Sequence, residues 1–306
     1  QSVAKEIFQS QTLVHVEDRI VSVNEIFRLQ DADEYSAAER IYLSATGSSR
    51  AAIVLAASRG KGLDAITIDR PKVMLPIAGK PLLRWLVDGF KKESINDITV
   101  VGGYRADAID TAGIKLVVNE RFAETGELAS LACAIDPVES DAVISYGDLL
   151  FRSYVLRDLV ESKAEFSVVV DSLMGGNSNH TVRDFAFCSR GDDRGLFGKP
   201  VLLRRVSSGA DASTAADSQP EPNGRWIGVL NASQAGIVRL KAQLAILRQR
   251  ADFDRLDMPA LLNALIADGA AIEVLYVHGH WRGVNDLDDL RRAVDFAHAQ
   301  TPLGDD

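Results

Sequence analysis

Cysteine is scarce in this 306-residue sequence, which contains two, Cys133 and Cys188. Neither lies at a spacing typical of a zinc site, and no pattern of paired cysteines indicates a disulfide-stabilised secreted domain. We expect both to be buried packing residues rather than nucleophiles, in a protein of the reducing cytoplasm. An apolar run long enough to span a membrane and a secretory signal peptide are also missing, so we expect no membrane partner.

Positive charge is in short supply as well. The chain has 34 Lys and Arg residues against 43 Asp and Glu residues, a net charge of −9. Such a surface repels a nucleic-acid backbone, so a protein that wraps DNA or RNA is disfavoured. Small anionic substrates are compatible with it if basic loops collect them locally. The length suits one large α/β domain with an appendage, and the oligomeric state, a homo-oligomer included, is open.

Two common phosphate-binding motifs are absent. The sequence has no Gly-x-x-x-x-Gly-Lys-[Ser/Thr] segment, which excludes a Walker-type nucleotide site. Gly60 and Gly62 lack the third glycine and the following acidic residue of a dinucleotide-binding turn. We therefore do not expect a redox dinucleotide enzyme.

Strand and helix patterns alternate from Arg50 onward. The apolar run 51–57 predicts a strand, and residues 82–90 carry apolar side chains at helical spacing. Further strands are predicted at 97–102, 115–118, 141–146, 166–170, 225–230 and 272–277, and helices at 106–112, 126–135, 154–162, 238–250, 258–267 and 287–299. This order predicts an α/β fold, with a mixed but mostly parallel sheet, helices on both faces and ligand sites at the carboxyl ends of the strands. Residues 207–223 are predicted to form an exposed loop.

A basic loop follows the first of these strands. Residues 51–63 read Ala-Ala-Ile-Val-Leu-Ala-Ala-Ser-Arg-Gly-Lys-Gly-Leu, and Arg70, Pro71 and Lys72 come soon after. Backbone N–H groups and cations in such a loop suit a polyphosphate, and Pro71 stiffens the backbone beside Lys72. The alternative is an ordinary strand–turn–helix unit in which Lys72 is a solvated surface lysine.

These residues resemble the sugar-phosphate and alkyl-phosphate nucleotidyltransferases, whose loop usually reads Leu-Ala-Ala-Gly-x-Gly-x-Arg-Leu, followed by Pro-Lys. Ser58 replaces a glycine of that pattern and Gly62 replaces its arginine. The resemblance implies a Rossmann-like, GT-A-like nucleotidyltransferase fold, a nucleoside triphosphate substrate and Mg²⁺. It also implies that Arg59, Lys61 and Lys72 neutralise the triphosphate during catalysis.

Two further segments resemble the metal-binding parts of this family. Asp148 follows Gly147 at the end of a predicted strand, where the family has a Gly-Asp whose Asp binds the metal. Residues 281–290 resemble the family segment Val-Asp-Thr-x-x-Asp-Leu, which reads Gly-Val-Asn in the uridylyltransferase branch. This resemblance makes Asn285 the second metal ligand.

Alternatives remain open for the acidic residues of these segments. Asp148 could instead be the N-cap of a helix. Asp286 is a fallback metal ligand, and we expect Asp288 or Asp289 to cap the last helix.

Residues 119–131 resemble the segment Asn-x-x-Tyr…Asn-Asn-x-x-Ser-Leu that wraps the base in the choline-phosphate cytidylyltransferase branch. Asn119 and Ser130 match that pattern directly, whereas Gly126 and Glu127 replace its Asn pair. Gly102 ends a predicted strand and is expected to shape the base pocket through close backbone approach. The residues predicted to bind the nucleotide are Leu55, Ala56, Ala57, Ser58, Gly60, Gly102, Tyr104, Asn119, Ser130 and Gly147.

The acceptor side is less defined by the sequence. Asp171 ends a predicted strand at the same edge of the sheet, and Arg183 and Lys199 are cations that could reach an acceptor. Trp226 and Gly228 lie on the strand predicted to flank the acceptor. The alternatives are a surface position for the two cations and a core position for Trp226.

Residues 1–48 differ in character from residues 49–306, which form the predicted nucleotidyltransferase domain. The segment 16–31 resembles the C-terminal tail of phosphoenolpyruvate mutase, which makes the carbon–phosphorus bond at the head of phosphonate biosynthesis. The resemblance implies an upstream mutase domain and a bifunctional mutase–cytidylyltransferase, a family that includes an enzyme of fosfomycin antibiotic biosynthesis. The alternative is an ordinary N-terminal helical extension.

These resemblances together imply Mg²⁺-dependent transfer of CMP from CTP to a small phosphonate. We expect 2-hydroxyethylphosphonate as acceptor, because the sequence has no clear acidic or aromatic cluster for an ammonium group, and 2-aminoethylphosphonate is the alternative. A sugar-1-phosphate nucleotidyltransferase and a catalytically inactive regulatory domain are two further alternatives. The substitutions at Ser58 and Gly62 are the support for the inactive domain.

Overall fold

A computed structural model describes residues 13–16, 19–22, 50–60, 62–63, 65–173, 184–193, 199–207 and 221–299. In the first two ranges, β1 (Leu13–Val16) and β2 (Arg19–Ser22) pair as an antiparallel hairpin. Lys61, Arg183, most of the mutase-like segment and residues 208–220 of the predicted loop lie outside the described residues.

A nine-stranded sheet organises the rest of the described chain. Its strands are β3 (Ala51–Ala56), β6 (Asp97–Gly102), β7 (Lys115–Val118), β8 (Ala142–Tyr146), β10 (Phe166–Asp171), β11 (Phe185–Cys188), β12 (Leu203–Ser207), β13 (Gly224–Ala232) and β14 (Ile272–Val277). Two small pairs accompany it, β4 (Pro76–Ile77) with β5 (Lys80–Pro81), and β9 (Leu149–Phe151) with β15 (Trp281–Gly283).

The sheet is mixed and mostly parallel, as predicted. The strands β7, β6, β3 and β8 lie side by side and parallel, and β10 and β14 form a second parallel pair. Between them β13 runs in the opposite direction, pairing with β10 on one side and with β8 and β11 on the other. Within the described chain, seven of the nine strands share one direction, with β12 and β13 opposed.

Six helices flank the sheet in the described residues. They are α1 (Leu82–Lys92), α2 (Glu127–Ala132), α3 (Ser153–Glu161), α4 (Gln234–Leu247), α5 (Met258–Ala267) and α6 (Leu287–His298). Each confirms a predicted helix, although α4 begins earlier than its apolar pattern indicates. The hydroxyl of Ser233 accepts a hydrogen bond from the Gly236 N–H (3.2 Å), which caps the helix before its first buried aliphatic residue.

The predicted helix 106–112 is wrong, because the structure has a single 3₁₀ turn, Ala106–Ala108. The carboxylate of Asp110 accepts a hydrogen bond from the Ala112 N–H (3.0 Å), a local turn that competes with helical bonding. The Arg84 guanidinium also donates to the carbonyls of Asp110 and Ala112. In a helix over 106–112 the Ala112 N–H would donate to the Ala108 carbonyl, so the Asp110 carboxylate replaces that helical bond.

Both faces of the sheet are covered, which explains why its strands are apolar throughout. On one face, α1 and α3 bury side chains such as Phe90 and Leu159. On the other face, α2, α4 and α5 bury Leu128, Leu240 and Leu261. A smaller cluster seats α6 against the segment that follows β3.

The expectation of two buried cysteines is wrong for Cys133, which is exposed, while Cys188 is half-buried. Loss of hydration raises the pKa of both thiols, so neither is activated as a nucleophile. None of the helices among the described residues is both long and apolar enough to cross a membrane.

Candidate active site

The carboxyl ends of β3, β6 and β8 meet at one edge of the sheet. The Gly147 N–H donates to the Leu55 carbonyl (2.9 Å), and the Tyr104 N–H donates to the Ala57 carbonyl (2.9 Å). A side chain at Gly147 would place its Cβ 3.0 Å from the Leu55 oxygen and 3.1 Å from the Ala56 Cβ. The structure therefore brings five predicted nucleotide-binding positions together at this edge, and their contact with a nucleotide stays a prediction.

The loop after β3 is held by two glycines with positive φ. Gly60 has a φ of +84°, and a Cβ there would lie 2.9 Å from the Lys72 Cδ. Gly62 has a φ of +91°, and a Cβ there would lie 3.3 Å from the backbone oxygen of Asn285. Ser58 is exposed at the start of this loop. The glycine that replaces the family's arginine thus lets the loop approach the segment that carries Asn285.

Arg59 lies at the border of this loop and the end of β6. Its guanidinium lies over the Tyr104 ring, 5.0 Å from the ring centre, as in a cation–π contact. The Tyr104 ring meets Phe122 edge-on (6.3 Å between centres), and its hydroxyl donates to the Ile68 carbonyl (3.3 Å). The structure therefore places the Arg59 cation at the sheet edge. Lys61, the other predicted cation of this loop, lies outside the described residues.

Lys72 and Asp148 form an ion pair at the centre of this edge. The Lys72 Nζ lies 2.5 Å from the Asp148 Oδ2, and the two side chains are 8% and 20% exposed. Lys72 begins a 3₁₀ turn directly after Pro71, whose extended backbone carries the chain inward. Lys72 is thus a buried cation and not the solvated surface lysine of the alternative. Removing one member of such a buried pair leaves the other charge unpaired, a cost of roughly 3–5 kcal/mol.

Asp148 and Asn285 are brought together by backbone pairing. The residues after Asp148 form β9, which pairs with β15 in the register Gly283 to Leu149. The next residue, Val284, donates its N–H to the Asp148 carbonyl (3.0 Å). The next helix, α3, begins at Ser153, and its N-cap is Arg152. Asp148 therefore does not cap this helix.

The N-cap of the last helix is Asp286, not Asp288 or Asp289. The Asp286 carboxylate accepts hydrogen bonds from the N–H groups of both of those residues (2.8 Å each). The Asp289 carboxylate instead accepts from the Asn285 N–H (3.0 Å) and so fixes that backbone. The fallback metal ligand therefore already has a capping role, which leaves Asn285 as the stronger candidate.

The residues present fit a magnesium ion. Asp148 offers a carboxylate at the sheet edge, and the exposed Asn285 offers an amide oxygen on the adjoining segment. Hard oxygen ligands of this kind are those that Mg²⁺ takes in nucleotide sites, where substrate phosphates supply further oxygens.

Asn119 and Ser130 organise the loop between β7 and α2. The Asn119 Nδ2 donates to the hydroxyls of Thr125 and Ser130 (3.0 Å each), and its Oδ1 accepts from the Arg121 N–H (3.0 Å). The Asn119 N–H also donates to the Gly102 carbonyl (2.9 Å), which ties the loop to β6. Both side chains are buried and bonded within the protein, so they shape this loop, and a direct contact with a base stays a prediction.

The predicted acceptor residues fall in different places. The Asp171 carboxylate accepts hydrogen bonds from the N–H groups of Leu173 (3.0 Å) and Gly279 (2.9 Å) and from the indole of Trp281 (2.8 Å). Lys199 is exposed and lines a cavity of about 310 Å³ along β14, a cavity whose lining includes none of the predicted nucleotide or metal residues. Arg183 lies outside the described residues. Because of its three hydrogen bonds, Asp171 is a structural anchor for the turn before β15.

Trp226 and Gly228 lie beneath the carboxyl end of β8. Trp226 is 1% exposed, and its indole N–H donates to the Val229 carbonyl (2.9 Å), so it is a core residue. Gly228 has a φ of +92° at an irregularity of the β10–β13 pairing, and a Cβ there would lie 2.2 Å from the Tyr146 ring. This glycine is required for the Tyr146 ring to lie on the β13 backbone.

Glu127, the first residue of α2, is a carboxylate bonded to Tyr146 that was not among the predicted site residues. Its Oε2 accepts hydrogen bonds from the Tyr146 hydroxyl (2.6 Å) and from the Met258 N–H (3.0 Å). Burial raises the pKa of the Glu127 carboxyl, and the same cause raises the pKa of the Tyr146 hydroxyl well above its usual range. The one signal in the sequence is a glutamate where the family pattern has an asparagine.

Comparisons with known proteins bear on the family and the fold of this chain. The model of the MobA-like NTP transferase domain matches residues 52–223. CTP:phosphoglutamine cytidylyltransferase of Campylobacter jejuni is 24% identical over 265 residues, which cover 80% of this chain and 99% of that protein. CMP-5'-(3-aminopropyl)phosphonate synthase of Streptomyces rubellomurinus is 28% identical over 170 residues, which cover 51% of this chain and 27% of that protein.

A solved structure shares the fold. The inositol-1-phosphate CTP transferase of T. maritima superposes with a TM-score of 0.62 at 19% identity, covering 84% of this chain and 98% of that one. The parallel strands that end at the Lys72–Asp148 pair are thus those of a Rossmann-like nucleotidyltransferase, as predicted. Since the family model spans more than half of the sequence, this chain belongs to the MobA-like NTP transferase domain family.

Proposed function

We propose that this protein transfers CMP from CTP to a small phosphonate, with Mg²⁺ as the metal. The Lys72–Asp148 pair carries the proposal, because it sets a buried cation against a carboxylate where β3 and β8 end. In the reaction, an oxygen of the phosphonate forms a bond to the α-phosphorus of CTP. The bond from that phosphorus to the oxygen bridging to the β-phosphorus breaks, and pyrophosphate leaves with the electron pair.

Each residue of the site has a distinct task in this reaction. Asp148 and Asn285 would hold Mg²⁺, which when bound supplies charge neutralisation and orientation of the triphosphate. Lys72 places its ammonium beside Asp148, where it can meet the charge that develops on the α-phosphate. Arg59 and Lys61 extend positive charge along the loop. Positioning and charge neutralisation suffice for this displacement, so a covalent enzyme intermediate is not needed.

Two observations support a phosphonate as the acceptor. The segment 16–31 resembles the tail of phosphoenolpyruvate mutase, and a relative that matches half of this chain is a CMP-aminopropylphosphonate synthase. We accordingly propose that residues 1–48 are the C-terminal tail of a mutase-like domain plus a linker and that residues 49–306 are the nucleotidyltransferase domain. The acceptor expected from the sequence is 2-hydroxyethylphosphonate. The alternative acceptor is an aminoalkylphosphonate, and the name of that relative favours this alternative.

The test is pyrophosphate release from CTP in the presence of Mg²⁺. The acceptors are 2-hydroxyethylphosphonate, 2-aminoethylphosphonate, phosphocholine and glucose 1-phosphate, with UTP and ATP as controls for the base. The variant Lys72→Met removes the cation of the pair. Lys80→Met is its matched control, since Lys80 also forms an ion pair, with Asp88, outside the proposed site.

We expect pyrophosphate release with CTP and a phosphonate. Lys72→Met should lower kcat/KM at least about 100-fold, whereas Lys80→Met should have near-normal activity. This loss corresponds to roughly 3 kcal/mol, the order expected for a charged contact in the transition state. Release with glucose 1-phosphate instead would identify a sugar-phosphate nucleotidyltransferase. Absence of release with every acceptor would favour the inactive regulatory domain.

A further inference from the structure

Glu127 is a carboxylate near the proposed reacting centre to which the reaction itself gives no task. It is the first residue of α2 and is half-buried. Its Oε2 accepts both hydrogen bonds that fix the side chain, from the Tyr146 hydroxyl and the Met258 N–H. The Oε1 atom takes part in neither of these bonds. The side chain is therefore oriented by the protein while one of its oxygens is left for another partner.

Aromatic surface lies next to this carboxylate. Tyr146 is the last residue of β8, two positions before Asp148, and its ring centre lies 5.4 Å from that of Trp226. The positive φ of Gly228 allows the Tyr146 ring to lie on the β13 backbone, and the hydrogen bond from the Tyr146 hydroxyl to Glu127 orients the ring. The carboxylate of Glu127 on α2 and the aromatic ring of Tyr146 on β8 thus lie together, and β8 pairs with β13, the strand predicted to flank the acceptor.

The charged groups of the described residues that shift the pKa of Glu127 are carboxylates. Burial raises the pKa of its carboxyl, and the negative charges of Asp257 and Asp148 act in the same direction. The hydrogen bonds from Tyr146 and Met258 oppose this shift. A desolvated carboxylate near other carboxylates is stabilised by an added positive charge. An anionic acceptor with a neutral tail would supply no such charge, whereas one with an amine would.

We infer that Glu127 is a specificity-determining residue of the acceptor site and that the preferred acceptor carries a primary ammonium group, as an aminoalkylphosphonate does. The ammonium contacts the Glu127 Oε1, and Tyr146 supplies aromatic surface beside it. The inference rests on the proposed function for the reaction itself. It also reverses the expectation of a hydroxylated acceptor, since Glu127 with Tyr146 and Trp226 is the acidic and aromatic cluster that the sequence did not reveal.

The test compares two acceptors of nearly equal shape, 2-aminoethylphosphonate and 2-hydroxyethylphosphonate. The readout is the ratio of their kcat/KM values in the full-length protein and in Glu127→Gln. We expect the unaltered protein to prefer the amine at least tenfold, and the substitution to lower this ratio about 10- to 100-fold, the range of a charge-assisted contact. Glu165→Gln is the matched control. Glu165 pairs with Arg239 away from this cluster, so its loss leaves the ratio unchanged.

Phosphoethanolamine and ethylene glycol monophosphate form a second amine–hydroxyl pair that separates this inference from the proposed function. Turnover of the phosphates but not the phosphonates, with a ratio that still depends on Glu127, would refute the phosphonate assignment and support the role of Glu127. An equal loss on both members of a pair would reduce Glu127 to a structural residue and overturn the inference. A preference for the hydroxylated acceptor, or turnover of none of the four, would also overturn it.

Discussion

Replacing Gly60 with alanine tests whether the position of Lys72 determines activity. The φ of +84° at Gly60 costs an L-residue roughly 1–2 kcal/mol. The new Cβ would also lie 2.9 Å from the Lys72 Cδ and 3.5 Å from its Cβ and Cε. Because the lysine side chain is 8% exposed and ends beside Asp148, it has little room to yield, so we expect the ammonium to move.

Gly79 provides a control for the backbone strain alone. Its φ is +79°, and no heavy atom of the described chain lies within 4 Å of the place its Cβ would take. Gly79→Ala should therefore lose about 1–2 kcal/mol of stability, and Gly60→Ala should lose more, because its displaced lysine also weakens the buried ion pair. A displaced Lys72 should cost Gly60→Ala a further 10- to 100-fold in kcat/KM, because contacts to charged groups contribute about 1.5–3 kcal/mol.

Two measurements decide the outcome. Urea unfolding followed by circular dichroism gives the free energy of unfolding of each variant, and pyrophosphate release gives kcat/KM under conditions where both are folded. The reasoning is refuted if Gly60→Ala retains kcat/KM within about threefold of Gly79→Ala, since the contact with Lys72 would then have no part in catalysis.

Two further predictions concern buried carboxylates. Asp171→Asn should lower the free energy of unfolding by about 1–3 kcal/mol. One amide oxygen cannot replace a carboxylate that accepts hydrogen bonds from two backbone N–H groups and from the Trp281 indole. An unchanged midpoint of urea unfolding would contradict this prediction. Burial raises the pKa of Glu127 above its ordinary value of 4.5, so the folded protein keeps a proton that the unfolded chain releases. The contribution of Glu127 to stability should therefore fall as pH rises from 4.5 through the raised pKa, and Glu127→Gln should lack this part of the pH dependence. Parallel stability–pH curves for the two proteins would show that the carboxyl does not titrate as inferred.

The sequence was sufficient to predict those features of the fold that depend on residues close together in the chain. Alternating apolar runs indicate the strands and helices because each burial face is set by residues close in the chain. Lys72 and Asp148 were each predicted to lie where a strand ends or just beyond it. The carboxyl ends of parallel strands meet at one edge of a sheet, so the two residues were expected at the same edge. The helix predicted at 106–112 failed because the Asp110 carboxylate accepts from the Ala112 N–H, which a helix would pair with the Ala108 carbonyl. Arg84, from α1, binds the carbonyls of Asp110 and Ala112 in the turn that results.

The sequence was insufficient where a role depends on distant partners. Glu127 becomes informative only once Tyr146 and Met258 are seen to hold it, and neither is near it in the chain. Asp171 was predicted as an acceptor ligand, but two of its three hydrogen-bond donors, the Gly279 N–H and the Trp281 indole, come from a segment distant in the chain. Asp286 has the capping role that was predicted for Asp288 or Asp289, because capping depends on backbone angles that residue type alone does not fix.

The position of β13 has a consequence for synthesis on the ribosome. Strands β8 and β10 emerge from the ribosome before β13, yet β13 lies between them in the finished sheet. A nascent chain that has reached β12 therefore has two apolar strands whose inner edges have no partner, which is the condition that favours association with other chains. We expect translation pauses before Gly224 to increase aggregation and chaperone capture more than pauses after Val277, when β13 and β14 have both been made.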